Sequence, residues 1–173
     1  MSTDFSEEDN SICNACGLCC EGYLFSYASL DANDDKREYP ELELVDVEGN
    51  IHFNLPCSAF DCGTGCTIYA KRPAVCKKYA CELLMNFKKK LIIKSQALAM
   101  IFEAKRLVNE LKDEMKNAEI PGNHLTNYRA QVRYIESELS SKENKYRFKN
   151  IHFKYGLSEI FFIKYFHEKS NRP

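Results

Sequence analysis

Cysteine is absent from residues 82–173, and nowhere in the 173-residue chain is there a run of about 18 or more apolar residues. The first absence confines thiol chemistry to the front of the chain, and the second leaves no segment suited to cross a bilayer as a helix. The opening residues, MSTDFSEEDN, are acidic and have no apolar stretch behind a basic start, so no secretory signal is visible. The expectation is a soluble, cytoplasmic protein. Also missing are a nucleotide-binding glycine loop, a defensible Ser/His/Asp arrangement, an internal repeat and a low-complexity tract. Motifs therefore assign no reaction. Hydrophobic residues make up 45% of the chain, which suits one domain, or one small domain with an appendage, and argues against disorder for the bulk of it.

What the front half does hold is all nine cysteines. Cys13, Cys16, Cys19 and Cys20 stand as C-N-A-C-G-L-C-C, and Cys57, Cys62, Cys66, Cys76 and Cys81 follow after a cysteine-free gap. In a reducing cytosol they do not form a disulfide framework, and the odd number leaves at least one outside any pairing. Closely spaced thiolates repel unless a cation sits among them, so the simplest reading is a metal or iron–sulfur site. The charge of −1 hides an asymmetry: residues 1–90 carry 9 Lys/Arg against 15 Asp/Glu, and residues 91–173 carry 15 against 10. Thiolates would add to the negative charge of the first half, and a bound cation there would relieve it.

Residues 1–12 are polar and acidic, and order is expected to begin at the first cysteine. The alternation in 42–47, the Gly49-Asn50 pair and the alternation in 51–55 predict a small β-hairpin over 42–55. Pro56, Gly63 and Gly65 mark the segment from Cys57 to Cys66 as a loop, Thr67 can cap a short turn, and Pro73 suits the first position of a helix carrying Cys76 and Cys81. Five residues span about 140° round a helix, so those two cannot both face one ion unless the helix is distorted or ends between them. Ala97, Ile101, Ala104, Val108, Leu111, Met115 and Ala118 repeat at fours and threes, and Leu125, Tyr128, Val132, Ile135 and Leu139 resume after Pro121-Gly122. Residues 94–119 and 124–142 thus read as an antiparallel helical hairpin. Residues 146–155 fit a strand or a helix equally, and Gly156 precedes a last, largely buried helix.

A C-x2-C turn brings two sulfurs to one ion, and a third cysteine at the same interval resembles the loops that wrap a [4Fe–4S] cube. Gly17 would permit the tight wrapping. Cys20, directly after Cys19, points elsewhere in most backbone conformations and should serve a second metal or bridge two. Cys57, Cys66, Cys76 and Cys81 supply further ligands. Two zinc sites of four thiolates each would use eight cysteines, whereas one [4Fe–4S] cluster would use four and leave the rest for other roles.

The string C-N-A-C-G-L-C-C, followed by C-x4-C-x3-C-T-I-Y-A-K-R-P-A-V-C-K-K-Y-A-C, resembles the bacterial CxxCxxCC cysteine-cluster family, described as zinc- or iron-chelating. Each part of that family's pattern is present: Cys13, Cys16, Gly17, Cys19 and Cys20; Pro56 and Cys57; Gly65, Cys66, Ile68, Tyr69, Arg72, Pro73 and Cys76; and Cys81. The resemblance covers about residues 13–81 and implies chelation by these eight cysteines. Cys62 departs from the pattern, and the helical second half lies outside it. A similar module occurs in the flagellin lysine methylase, a much longer protein, which allows a cluster-dependent alkyl-transfer role.

The remaining chemistry-bearing residues have plainer readings. Cys62 reads as an exposed, oxidisable non-ligand, and His52 as a solvent-facing strand residue. Tyr69 and Tyr79 read as core packing, and His124, His152 and His167 as surface or cap positions. Arg72 suits hydrogen bonding to cluster sulfurs, an anionic substrate or a salt bridge to the acidic half. Lys88-Lys89-Lys90 reads as a solvated face, so no nucleic acid is expected. The expected architecture is α+β: an irregular metal-stapled module over 13–90, then a helical extension over 91–173 that offers a surface for a protein partner. Three function classes stand: a zinc-stapled structural or interaction module, an iron–sulfur enzyme or redox protein, and a metal-handling protein for zinc or iron.

Overall fold

The computed structural model of the chain describes residues 7–118, 128–138 and 141–167. Helix α1, Glu7–Cys16, opens the fold ahead of the first cysteine. Order thus begins earlier than the acidic composition suggests, because Ile12 is buried and anchors the helix in the core. Gly17, at φ +69°, stops α1 in a left-handed residue, and its amide donates to the Cys13 carbonyl at 3.0 Å. The chain then loops to strand β1, Tyr27–Ser29.

Strands β2, Leu44–Val47, and β3, Asn50–Asn54, form the expected hairpin, in the register Val47↔Asn50. Its turn lies one residue earlier than expected, on Glu48 and Gly49, both at positive φ, so that Asn50 already belongs to the strand. Strand β1 adds on the other side of β3, pairing Ala28 with Phe53, and completes a three-stranded antiparallel sheet ordered β1-β3-β2. Phe53, Leu55, Leu42, Tyr39, Ala59 and Ile68 form a small core with this sheet.

The segment after Cys57 is more regular than a loop. Strands β4, Phe60–Asp61, and β5, Gly65–Cys66, pair as a two-stranded ribbon. The Asp61 carboxylate closes its turn by accepting from the Gly63 and Thr64 amides at 2.9 and 2.8 Å. Thr67 caps no helix: its hydroxyl donates to the Ala59 carbonyl, and the 3-10 turn Tyr69–Lys71 has no side-chain cap. The single helix expected from Pro73 is two, α2, Ala74–Lys78, and α3, Glu82–Lys88. They are parted by an extended Tyr79 and by Cys81, whose extended backbone N-caps α3.

Helix α4, Lys94–Asn117, buries the seam Ala97, Ile101, Ala104, Val108, Leu111 and Met115. Helix α5, Tyr128–Glu138, buries Tyr128, Val132 and Ile135. Leu125 and Leu139, with His124, lie outside the described residues. Residues 142–165 are entirely helical but for Phe148: α6, Lys142–Arg147, and α7, Lys149–Tyr165, which runs through Gly156 instead of starting after it. Helix α7 is the main partner of α4, while α5 packs on α7, so the extension is a bundle in which α7 covers the α4 seam.

The fold is α+β. One large core joins Ile12, Leu18, Tyr23 and Leu24 of the front half to Leu83, Leu84, the α4 seam, Phe162 and Phe166. Polar contacts also tie the two halves together across this core. Arg129 of α5 donates to the Tyr23 carbonyl at 3.2 Å, Lys112 of α4 lies 4.9 Å from the Tyr23 ring centroid, and the Glu82 amide donates to the Phe166 carbonyl.

Candidate metal centre

All nine cysteines are thiols outside any disulfide. Cys13 and Cys16 occupy the last turn of α1, three residues apart and so on one face. The left-handed Gly17 then turns the chain to Leu18, Cys19 and Cys20. A Cβ at Gly17 would stand 2.4 Å from Cζ of Phe60, so glycine here also lets the β4–β5 ribbon close over the cysteine run. Cys57 follows Pro56, Cys66 ends β5, and Cys76 sits in α2, whose first amide, on Ala74, donates to the Asp34 carboxylate at 3.1 Å. Cys81 caps α3, its Sγ accepting from the Leu84 amide at 3.5 Å.

The structure regroups the two sequence clusters. Cys13, Cys16, Cys19 and Cys81 pack on the large helical core, with Cys16 only 8% exposed, whereas Cys57, Cys66 and Cys76 pack on the small core of the sheet. Cys20 is tied to the second set by a 2.7 Å hydrogen bond from the Cys57 amide to its carbonyl. Cys20 and Cys81 have therefore exchanged sides relative to their order in the chain. Five residues separate Cys76 from Cys81, and the break between α2 and α3 sends them to different cores.

The electrostatics follow this grouping only in part, since Cys20 also raises Cys19 and Cys13 also raises Cys20. Burial pushes the Cys16 thiol far up, and the nearby Cys81 and Cys13 thiols add to this, while the Leu18 amide and Lys105 oppose it. Cys19 is raised by burial and then by Cys81 and Cys16. Burial pushes Cys81 up to about 12, with Cys13 adding and the Leu84 and Leu83 amides opposing. Cys20 is raised by burial and then by Cys57, Cys66 and Cys76; Cys76 is pushed up to about 12 by burial, then Cys57 and Cys66. Burial also raises Cys57 and Cys66, against the Ala59 amide in one and the Ile68 amide and Arg72 in the other. Burial and mutual repulsion disfavour the thiolate at each of these sites, and a cation among the sulfurs reverses both effects.

Among the described residues no three His, Cys, Asp or Glu side chains converge on a point at metal-binding distance. The grouping is one of packing and, in part, of electrostatic neighbourhood. The donor set nonetheless fits a soft or borderline ion: sulfur ligands, the Leu84 amide donating to Cys81 Sγ, and a largely buried surround.

Other candidates are placed more plainly. Cys62 is exposed at the β4–β5 turn, with its Sγ 3.6 Å from a Glu21 carboxylate oxygen. His52 pairs in β3 with its ring 5.4 Å from that of Tyr27, and His152 is exposed on α7. His167 differs from the expected surface position: it is half-buried, 6.4 Å from the Phe25 ring, with its amide donating to the Phe162 carbonyl at the end of α7. Tyr79 packs edge-on to Phe25 and donates to the Phe166 carbonyl at 3.3 Å. Arg72 is 8% exposed and its guanidinium stacks 3.9 Å from the Tyr69 ring centroid. Burial, then the Cys13 thiol, pushes Tyr69 up to about 12. Lys105, beside Cys16, was not flagged by sequence, since nothing in the spacing of α4 distinguishes it from its other lysines. No helix among the described residues is long and apolar enough to cross a membrane.

No curated protein and no solved structure matches the chain. A family model does, over residues 12–100; it is titled CxxCxxCC, "Putative zinc- or iron-chelating domain". That span reaches from the end of α1 into the first turns of α4 and contains every cysteine. The chain belongs to the CxxCxxCC family of zinc- or iron-chelating domains.

Proposed function

We propose that the protein is a cytoplasmic metal chelator that holds more than one zinc or iron ion through the thiolates of Cys13, Cys16, Cys19, Cys20, Cys57, Cys66, Cys76 and Cys81. The chelating module is residues 13–90, and the helices from residue 91 support it. The observation that carries this reading is that, within the span matched by the family model, seven of these cysteines pack against the two cores, with the Leu84 amide donating to Cys81 Sγ at 3.5 Å. Such a donor offsets thiolate charge and orients the ligand before the ion arrives. Four sulfurs per ion complete a tetrahedral shell, which favours zinc in a filled, colourless site.

A second reading, with iron–sulfur chemistry, is favoured by the Cys13-x2-Cys16-x2-Cys19 interval, which resembles ferredoxin loops. Anaerobic purification with elemental analysis and an absorption spectrum separates the two. Zinc without visible absorption is expected; brown, oxygen-sensitive protein with iron and sulfide selects the second reading, and protein without any metal removes both.

A further inference from the structure

We propose that the outward face of α7 is a docking site for an acidic amphipathic helix of a partner protein, which lays an apolar seam along Phe153, Leu157 and Ile160 and sets carboxylates against Lys149 and Lys164. Counted at about 100° per residue, Lys149, Phe153, Gly156, Leu157, Ile160 and Lys164 share one side of the helix. The buried Ile151, Ser158 and Phe162 lie on the opposite side. A helix that covers a core normally turns polar side chains to solvent, but α7 is apolar on both sides. Phe153 and Ile160 are 65% and 67% exposed, and Leu157 is 41% exposed. Their spacing, i, i+4 and i+7, is that of one helix packing along another.

Gly156 lies in the middle of this face, and a Cβ built on it meets nothing within 4 Å. Glycine weakens a helix interior, and no neighbour within reach requires it here, so the gap suits the close approach of a second helix. A bilayer surface has no side chain to fit such a gap. The charge of the face is of one sign. Glu159, the only carboxylate of α7, is part-buried and paired with Arg129 at 3.3 Å, and Lys154 is paired with Glu114 at 2.8 Å. Lys149 and Lys164 remain exposed at the two ends of the apolar stripe. A second copy of the face would bring these lysines against each other in either direction, whereas a helix with carboxylates beside its seam complements both. The inference stands apart from chelation, since α7 carries no cysteine, and its failure would leave that reading in place.

The test uses the full chain and two fluorescein-labelled synthetic peptides of about 18 residues, each with a leucine seam at heptad a and d positions, flanked by glutamate in one and by lysine in the other. By fluorescence anisotropy at low salt, the glutamate peptide should bind saturably and the lysine peptide at least about 10-fold more weakly. Phe153→Glu or Ile160→Glu should abolish binding, and Lys149→Glu combined with Lys164→Glu should reverse the preference between the peptides. Gly156→Met, which brings in a better helix former, should raise the melting point and yet weaken the glutamate peptide by about 10-fold, so that docking is read apart from folding. No binding of either peptide, or binding of both that the lysine reversal leaves unchanged, overturns the proposal. A dimer in sedimentation velocity, or co-sedimentation with phosphatidylserine vesicles, that Phe153→Glu abolishes also overturns it, because a second copy or a membrane then covers the face.

Discussion

Replacing Gly17 by alanine tests whether the end of α1 and the β4–β5 ribbon are locked together over the cysteine run. The backbone there has φ +69°, and holding an L-residue in that region costs about 1–2 kcal/mol. The added Cβ would stand 2.4 Å from Phe60 Cζ and 3.0 Å from Cε1, so the half-buried ring must swing aside. Overpacking of this kind costs about 1–3 kcal/mol, and a side-chain tip that can move puts the cost at the low end. A loss of about 2–4 kcal/mol is expected, against a total stability of about 5–15 kcal/mol for a typical domain. For a chain of this size that lowers the midpoint of a circular-dichroism melt by about 4–16 °C. Gly156→Ala is the control of opposite sign. That glycine lies inside α7 with nothing within 4 Å of a built Cβ, so alanine should stabilise by about 0.5–1 kcal/mol. A Gly17→Ala melting point within about 2 °C of the parent refutes the locked geometry.

Removing the metal with a high-affinity chelator should unfold residues 13–81 while most helical ellipticity survives, because α4 buries its seam chiefly against α7, which carries no ligand. Unchanged circular dichroism on chelation would count against a metal-stapled module. His167 is held below the usual histidine range, first by burial and then by Arg129. The unfolded chain therefore takes up that proton at higher pH than the fold does, and stability should fall as pH drops from about 7 towards 5. His167→Gln should flatten this part of the melting-point profile; an unchanged slope would show that His167 does not set it.

The helical repeat of α4 was legible because a long amphipathic stripe depends only on local spacing, and all six residues from Ala97 to Met115 in that stripe are buried. The β2–β3 hairpin was legible for the same reason, through alternation and a glycine turn. Strand β1 was not, since three residues ending at Ser29 carry no pattern and gain their partner only from β3. The break between α2 and α3 was foreseen only as a geometric condition on Cys76 and Cys81. It is realised where Cys81 turns extended to cap α3 with its own sulfur, a role that cysteine rarely signals. Likewise the eight cysteines could be named from their spacing, but the exchange of Cys20 and Cys81 between sets depends on which core each segment joins. Such tertiary pairings leave no local trace. Pro121-Gly122, expected to part the helices, and residues 124–127, expected to open the second of them, lie outside the described residues.

X-ray absorption at the metal edge of the anaerobically purified chain addresses the central claim most directly, because it counts the atoms bound to the ion. Thiolate chelation predicts a first shell of four sulfurs at about 2.3 Å and nothing lighter if the ion is zinc. A shell containing nitrogen or oxygen at about 2.0–2.2 Å would place histidine, carboxylate or water on the metal and contradict it.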